Sequence, residues 1–241
     1  MRKIVCILFF PLFLIGSSPD FKSFNGSAVI LDLSTKEVVV FGDHANERLN
    51  PCSTFKILNA MISLEEKVVK DEHEIIPWDK KIRRYDFWNK DHSMATGISV
   101  STVWFFQELA RRVGAEKMHK WVSLVNYGNN DTSKTLSDFW LADGSLKISA
   151  YEQSHFMAKL LKREQPFSKQ VMDTTLQIIT LEENAEYRFG GKTGTCGGIG
   201  WFVGFKKTPT QTKAFTFMLK GEGSSGVEAK KIAQAYLGVN P

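Results

Sequence analysis

An α+β fold in a single domain is what this sequence predicts: one antiparallel sheet built from both chain ends, flanked by helices, with a mainly helical middle. Three observations carry that expectation. Stretches with strand character lie near the N-terminus and again in the C-terminal third, and helical apolar spacing fills the interval between them. No Pro/Gly/Ser-rich linker, low-complexity tract or internal repeat divides the chain. With 241 residues, 43% of them hydrophobic and 24% charged, the composition excludes disordered and fibrous classes.

In order along the chain, Arg2 and Lys3 precede an apolar run from Ile4 to Ile15, and small residues Gly16-Ser17-Ser18 come before Pro19-Asp20. That layout predicts a secretory signal peptide over 1–18, a single mature domain over 19–241, and a periplasmic or secreted protein. A buried N-terminal strand is the competing reading, but nothing in the run alternates. The run is too short to span a membrane, and Cys6 lies within it rather than after its small residues, so no stable membrane anchor is expected. Losing two cations with the signal lowers the formal charge from +5 to +3. With no block of basic residues, a nucleic-acid partner is not expected.

Gly26 to Leu33 and Glu37 to Phe41 read as two strands joined by the polar Ser34-Thr35-Lys36 turn. From Ser53 to Val68 an almost wholly apolar segment predicts a buried helix. Its start, Ser53-Thr54-Phe55-Lys56, puts a hydroxyl and an amine one turn apart on one face. A serine needs a base to become a nucleophile, and a lysine serves only where burial keeps its amine neutral. The alternative is an N-capping Ser53 with Lys56 reaching to water.

Helices are expected over Thr102 to Val113 and Ala115 to Val125, broken at Gly114. Ser149 with Glu152 and Ser225 with Glu228 have capping-box spacing, opening helices toward Leu161 and Leu237. Between them, Tyr187-Arg188-Phe189 leads into Lys192-Thr193-Gly194-Thr195, and two further strands are expected at Trp201 to Phe205 and Lys213 to Leu219. Gly194 would let a ligand lie against the strand, Thr193 and Thr195 offer hydroxyls, and Lys192 offers a fixed positive charge for an anion. An exposed strand lysine beside a glycine bulge is the plainer alternative.

With those motifs in order, the chain resembles the penicillin-recognising serine enzymes and most closely the class D (oxacillinase-type) β-lactamases, over nearly everything after the signal. Ser101-Thr102-Val103 fits that family's Ser-x-Val element, followed by the helix run Gln107 to Arg112. Tyr127-Gly128-Asn129 fits its Tyr-Gly-Asn element, and Phe139-Trp140-Leu141 the segment that supplies its tryptophan. The resemblance implies a β-lactamase/transpeptidase-like fold and hydrolysis of β-lactams: penicillins, with cephalosporins and carbapenems left open. It implies that Ser53 forms an acyl-enzyme, with the backbone N–H groups of Ser53 and Thr195 as the oxyanion hole. Lys56 would be carboxylated by CO2 to a carbamate, sheltered by Val103 and Trp140, whose indole donates to it; no other cofactor is implied. Ser101 would relay a proton and Lys192 supply charge, with Thr193, Gly194, Thr195, Tyr127 and Asn129 toward the substrate. Core packing for Trp140, an N-cap for Ser101 and turn closure for Tyr127 and Asn129 are the plainer roles.

One departure stands out. Members place an arginine near the last helix to hold the substrate carboxylate, and no arginine follows Arg188 here. Lys230, Lys231, Thr193 and Thr195 are the candidates to replace it, none with arginine's bidentate fork. Cys52 and Cys196 flank the two motifs, so a disulfide or two free thiols would sit at the site; bridged cysteines at these positions occur in some class A relatives. His44, His73, His92, His119 and His155 lack metal-ligand spacing, so surface roles and no metal are expected. A non-hydrolysing β-lactam sensor and a D,D-peptidase are the competing functions, and a homodimer stays open.

Overall fold

The two ends of the chain meet in one sheet. In a computed structural model of the protein, which describes residues 18–240, strands β1 (Asn25–Asp32), β2 (Val38–Phe41), β3 (Thr180–Glu183), β4 (Arg188–Cys196), β5 (Ile199–Lys207) and β6 (Thr212–Lys220) form an antiparallel sheet ordered β2-β1-β6-β5-β4-β3. The N-terminal hairpin joins the C-terminal strands because β1 pairs with β6 from Asn25↔Lys220 to Asp32↔Lys213. The expected signal peptide lies outside the described residues except for Ser18. Among the described residues no helix is long and apolar enough to cross a membrane.

Strand alternation fixes what each face of the sheet carries. Ala28, Ile30, Phe202, Phe215 and Phe217 project toward α7 (Gly226–Leu237), closing a small aromatic-rich core. Val29, Leu31, Trp201, Val203 and Phe205 face the helical region and join the larger core. That region comprises α1 (Lys56–Glu65), α2 (Met94–Ser99), α3 (Val103–Val113), α4 (Ala115–Val125), α5 (Ala150–Lys162) and α6 (Lys169–Ile178). Helix α1 packs on α3 and α6, away from solvent, with Ile57, Leu58, Met61 and Ile62 buried. Each such side chain contributes about 2 kcal/mol relative to exposure, so α1 is held by packing rather than by propensity.

Several expectations differ from what forms. The segment from Cys52 begins as a 3₁₀ turn, Cys52–Phe55, and becomes α-helical only at Lys56; it ends at Glu65 rather than Val68, where Lys67 adopts a left-handed φ of 53°. The capping box at Ser149 and Glu152 is reciprocal, but at Ser225 only the serine caps, because Glu228 turns outward to Lys22 and Lys231. Helices α2 and α6 and the short edge strand β3 have no counterpart in the sequence-based expectations. Among them α2 carries a capping box of Ser93 with Thr96, whose threonine departs from the usual Glu or Gln.

Candidate active site

The turn that opens α1 is built by its own hydroxyl. Thr54 Oγ1 donates to the Pro51 carbonyl at 2.7 Å, and Cys52 takes a left-handed φ of 52°, which swings the following residues into the 3₁₀ turn. Ser53 is left half-buried at its mouth, while Lys56, one turn on, is fully enclosed. Lys56 Nζ lies 2.6 Å from Ser53 Oγ and 3.3 Å from Ser101 Oγ, with the Phe106 ring 5.7 Å away. Among the described residues no carboxylate bonds the amine. Burial, and then the charge of Lys192, hold its pKa well below that of an ordinary lysine, which favours the uncharged amine. The reading in which Lys56 reaches to water is overturned, as is Ser53 as an N-cap.

Ser101 reaches this pocket from the loop before α3. Its φ of 59° is left-handed, a conformation that costs a non-glycine residue about 1 kcal/mol or more and aims its hydroxyl back at Lys56. The loop is pinned from several sides: Ser101 N–H donates to Ile98 O, Thr102 N–H to Gly97 O, and Trp88 Nε1–H to Val100 O. Thr102, not Ser101, is the N-cap residue of α3, and Val103 is its first helical residue, half-buried. His92, expected at the surface, is 1% exposed; its Nε2 lies 3.0 Å from Phe87 O and 3.3 Å from Thr102 Oγ1, and burial lowers its pKa.

The opposite wall is β4. Strand β3 covers only its first part, through Thr180↔Gly190 and Gly191 N–H to Ile179 O at 2.8 Å. Alternation then directs the backbone groups of Thr193 and Thr195 to the same edge, where among the described residues no strand pairs with them. Lys192 points to the helical side, 4% exposed, its Nζ donating to Thr193 O at 3.0 Å. It is not an exposed strand lysine, nor a fixed charge: burial brings its pKa down to about 7. Gly194 also differs from expectation. A Cβ there would meet Pro51 O at 2.9 Å and Thr54 Cγ2 at 3.1 Å, so glycine admits the Ser53 turn itself, not a ligand. Thr195 Oγ1 is engaged by Gly226 N–H at 2.8 Å. Cys52 and Cys196 are disulfide-bonded, Cα to Cα 5.8 Å, fastening the Ser53 turn to the end of β4.

Trp140 is fully buried and stacked on Phe55 at 5.2 Å between centroids, yet its indole N–H has no partner. A buried donor without an acceptor is costly, by about 1–3 kcal/mol, and it stands beside the turn that carries Lys56. An anionic acceptor on the neutral Lys56 amine fits this donor set. Tyr127 is buried edge-on against Phe55, its hydroxyl 3.4 Å from Gln153 Oε1, and burial pushes its pKa up beyond the ordinary phenol range. Asn129 is spent on backbone: its amide donates to Ser145 O and its oxygen accepts from Lys147 and Asp131 N–H. The structure thus brings together Ser53, Lys56, Ser101, Lys192 and the edge of β4, with Trp140 packed beneath, and leaves Asn129 in a loop closure. Among the described residues no group of His, Cys, Asp and Glu is arranged to hold a metal ion.

Comparison with known proteins follows this geometry. Residues 26–238 match the family described as penicillin binding protein transpeptidase domain. A probable β-lactamase, YbxI of Bacillus subtilis, is 40% identical over 217 residues, 88% of this chain and 80% of that protein. The crystal structure of a class D β-lactamase from Bacillus subtilis superposes with a TM-score of 0.88 at 38% identity, covering 92% of this chain and 94% of that one. The regulatory protein BlaR1 of Bacillus licheniformis is 32% identical over 89% of this chain, which spans only 37% of that longer protein.

Proposed function

Because the chain belongs to the class D serine β-lactamases, we propose that it hydrolyses β-lactams through an ester on Ser53, with Lys56 as the base on which both half-reactions turn. The observation that carries this is the fully buried Lys56 amine lying between two hydroxyls, 2.6 Å from Ser53 Oγ and 3.3 Å from Ser101 Oγ. A neutral amine at that distance accepts the Ser53 proton as Oγ bonds to the lactam carbonyl carbon. The negative charge that develops on the carbonyl oxygen falls to the backbone N–H groups of Ser53 and Thr195, the latter on the free edge of β4. As the C–N bond breaks, the ring nitrogen takes a proton, for which Ser101 Oγ is the relay nearest Lys56. Water then attacks the ester, giving its proton to the base, and Ser53 regains its hydroxyl as the ring-opened acid leaves.

A carbamate on Lys56 would supply a stronger, anionic base for the water step and an acceptor for the unpaired Trp140 N–H. Formation requires a neutral amine, which burial of Lys56 provides. Val103 and Trp140 shelter that pocket, and Lys192, Thr193 and Thr195 line the side from which substrate enters. Export with loss of residues 1–18 completes the reading: the substrates act outside the cytoplasm, and the disulfide suits an oxidising compartment.

Turnover tests the proposal. Purified protein mixed with a chromogenic cephalosporin should give a steady rate that vanishes in Ser53→Ala. A single stoichiometric burst would instead mark a protein that acylates and stays acylated, and absence of any reaction would end the reading.

A further inference from the structure

Between α1 and α2 the chain closes a loop on itself. Ile76 bridges to His92 at its base, and the backbone above is pinned by side chains: Trp78 Nε1–H donates to Lys81 O at 3.0 Å, Arg83 N–H to Asn89 Oδ1 at 2.8 Å, and Trp104 Nε1–H to Trp88 O at 2.7 Å. A loop held this way is a fixed surface rather than a tether. Its side chains then divide between inside and outside. Arg83 turns inward, bonded to Asp79 at 2.7 Å with its guanidinium over the Trp104 ring, whereas Ile82 is 80% exposed, Phe87 47% and Tyr85 39%.

Where the loop is exposed it is also basic. Lys80-Lys81-Ile82-Arg83-Arg84 places four cations in five positions, a cluster too short to count as a basic block of the whole chain. Among the described residues Lys80, Lys81, Arg84 and Lys90 are exposed and form no ion pair, Arg83 being the one held by a carboxylate. Of the loop's own carboxylates, Asp79 is taken by Arg83 and Asp91 accepts Trp78 N–H, which leaves Asp86. Arg84 lies over the Tyr85 ring at 5.3 Å, and Tyr85 is stacked on Phe87 at 5.2 Å, so apolar area and positive charge share one face.

Apolar tips beside unpaired cations suit a surface that is anionic outside and apolar beneath. A second copy of the chain is not such a surface, because apposing two of these loops would set cations against cations. A soluble polyanion would answer the charges and leave Ile82 and Phe87 in water. We propose that this loop docks the protein reversibly on an anionic phospholipid bilayer, with Ile82, Tyr85 and Phe87 entering the acyl boundary and Lys80, Lys81 and Arg84 meeting the phosphates. Aromatic rings at headgroup level and cations on long apolar stems are what that boundary accommodates. Since the loop is already ordered, docking loses little of the entropy that a disordered basic tail would lose. No spanning segment is involved, and the inference is independent of the reaction proposed above.

Sedimentation with vesicles tests it. Wild-type protein should partition onto vesicles of equal parts phosphatidylglycerol and phosphatidylcholine about tenfold better than onto phosphatidylcholine alone, and should be released as salt rises to ~0.5 M. Ile82→Ser with Phe87→Ser should weaken that binding about tenfold, and Lys81→Glu with Arg84→Glu by as much or more, with melting temperature and turnover of a chromogenic cephalosporin in solution unchanged. Lys134→Glu with Lys147→Glu, at exposed lysines of the loop after α4, changes the net charge equally and should bind as wild type. An equal loss in that control would mean diffuse charge attraction and overturn the inference. So would vesicle binding that is indifferent to Ile82 and Phe87, or wild-type protein that stays in the supernatant. A changed KM for β-lactams in the Ile82→Ser, Phe87→Ser variant, with vesicle binding intact, would give these side chains to the substrate instead.

Discussion

The backbone N–H of Cys52 donates to the carbonyl of Trp140 at 2.9 Å, so the residue with the unpaired buried indole is tied to the residue preceding Ser53. Displacing either displaces both. If the indole serves a carbamate on Lys56, acidification or degassing should leave an enzyme that acylates but deacylates slowly, and bicarbonate should restore the rate. Trp140→Phe, which keeps a ring but no donor, should raise the bicarbonate requirement about tenfold, and Trp140→Ala more, with a cavity cost of about 3–5 kcal/mol. Lys56→Ala should be beyond rescue. Hydrolysis indifferent to bicarbonate, with no carbamate carbon resonance from Lys56, would remove the carbamate from the mechanism.

Ser53→Ala should abolish covalent labelling by penicillin, because Ser53 is the half-buried hydroxyl held 2.6 Å from a buried amine whose pKa is lowered. Ser101→Ala, which leaves that pair intact, should slow labelling by about 10²-fold or more without moving the adduct. Intact-mass and peptide mapping read both; an undiminished adduct in Ser53→Ala would place the nucleophile elsewhere.

The Cys52–Cys196 bond closes a loop spanning 144 positions of sequence, for which the chain-entropy account gives a contribution of up to about 5 kcal/mol. Reduction should therefore lower the melting temperature by several degrees. Since the bond also fastens the Ser53 turn to β4, Cys196→Ser should slow acylation as well as lower stability. Two titratable thiols in unreduced, denatured protein would contradict the bridge.

Lys192 titrates near pH 7 because it is buried, where an ordinary lysine titrates near 10.5. Its charge is present below about 7 and lost above, so KM for a carboxylate-bearing β-lactam should rise as pH climbs from 6 to 8.5 while KM for the methyl ester stays level. For stability the sign is opposite: the cost of burying this lysine is absent above about 10.5 and complete below about 7, as the unfolded chain takes up its proton. A KM ratio flat across this range would show that Lys192 carries no charge the substrate feels.

Asn129 bonds three backbone groups that close the loop after α4, at Ser145, Lys147 and Asp131. Asn129→Ala should cost about 1–3 kcal/mol in urea unfolding and leave KM for penicillin within a factor of two. A tenfold change in KM at unchanged stability would return this residue to the binding site.

Five of the six strands and the α1, α3, α4, α5 and α7 helices are legible in the sequence, because each rests on a local signal: alternation, apolar spacing, a cap or a motif; that the Ser53 and Lys192 segments meet is implied by the resemblance. What escapes it arises between segments. Helix α6 has a serine cap without the acidic partner that completes a box, and β3 is four residues whose partner lies in β4. The burial of His92 follows from Phe87 and Thr102 closing over it, which charged neighbours in sequence conceal. Gly194 reads as room for a ligand until the Pro51 carbonyl occupies that room. The charge on Lys192 depends on enclosure, which no spacing reveals.

The pairing of β1 with β6 sets a clock on biosynthesis. Asp32 finds its partner Lys213 roughly 180 residues later, so at ordinary ribosomal speed the first strand waits on the order of ten seconds or more for the strand that flanks it. During that interval Val29 and Leu31 have no core to enter, and the β1–β2 hairpin exposes an apolar edge. The nascent chain therefore depends on whatever holds it unfolded until its last third is made, and a truncation within β6 should yield aggregate rather than a smaller folded enzyme.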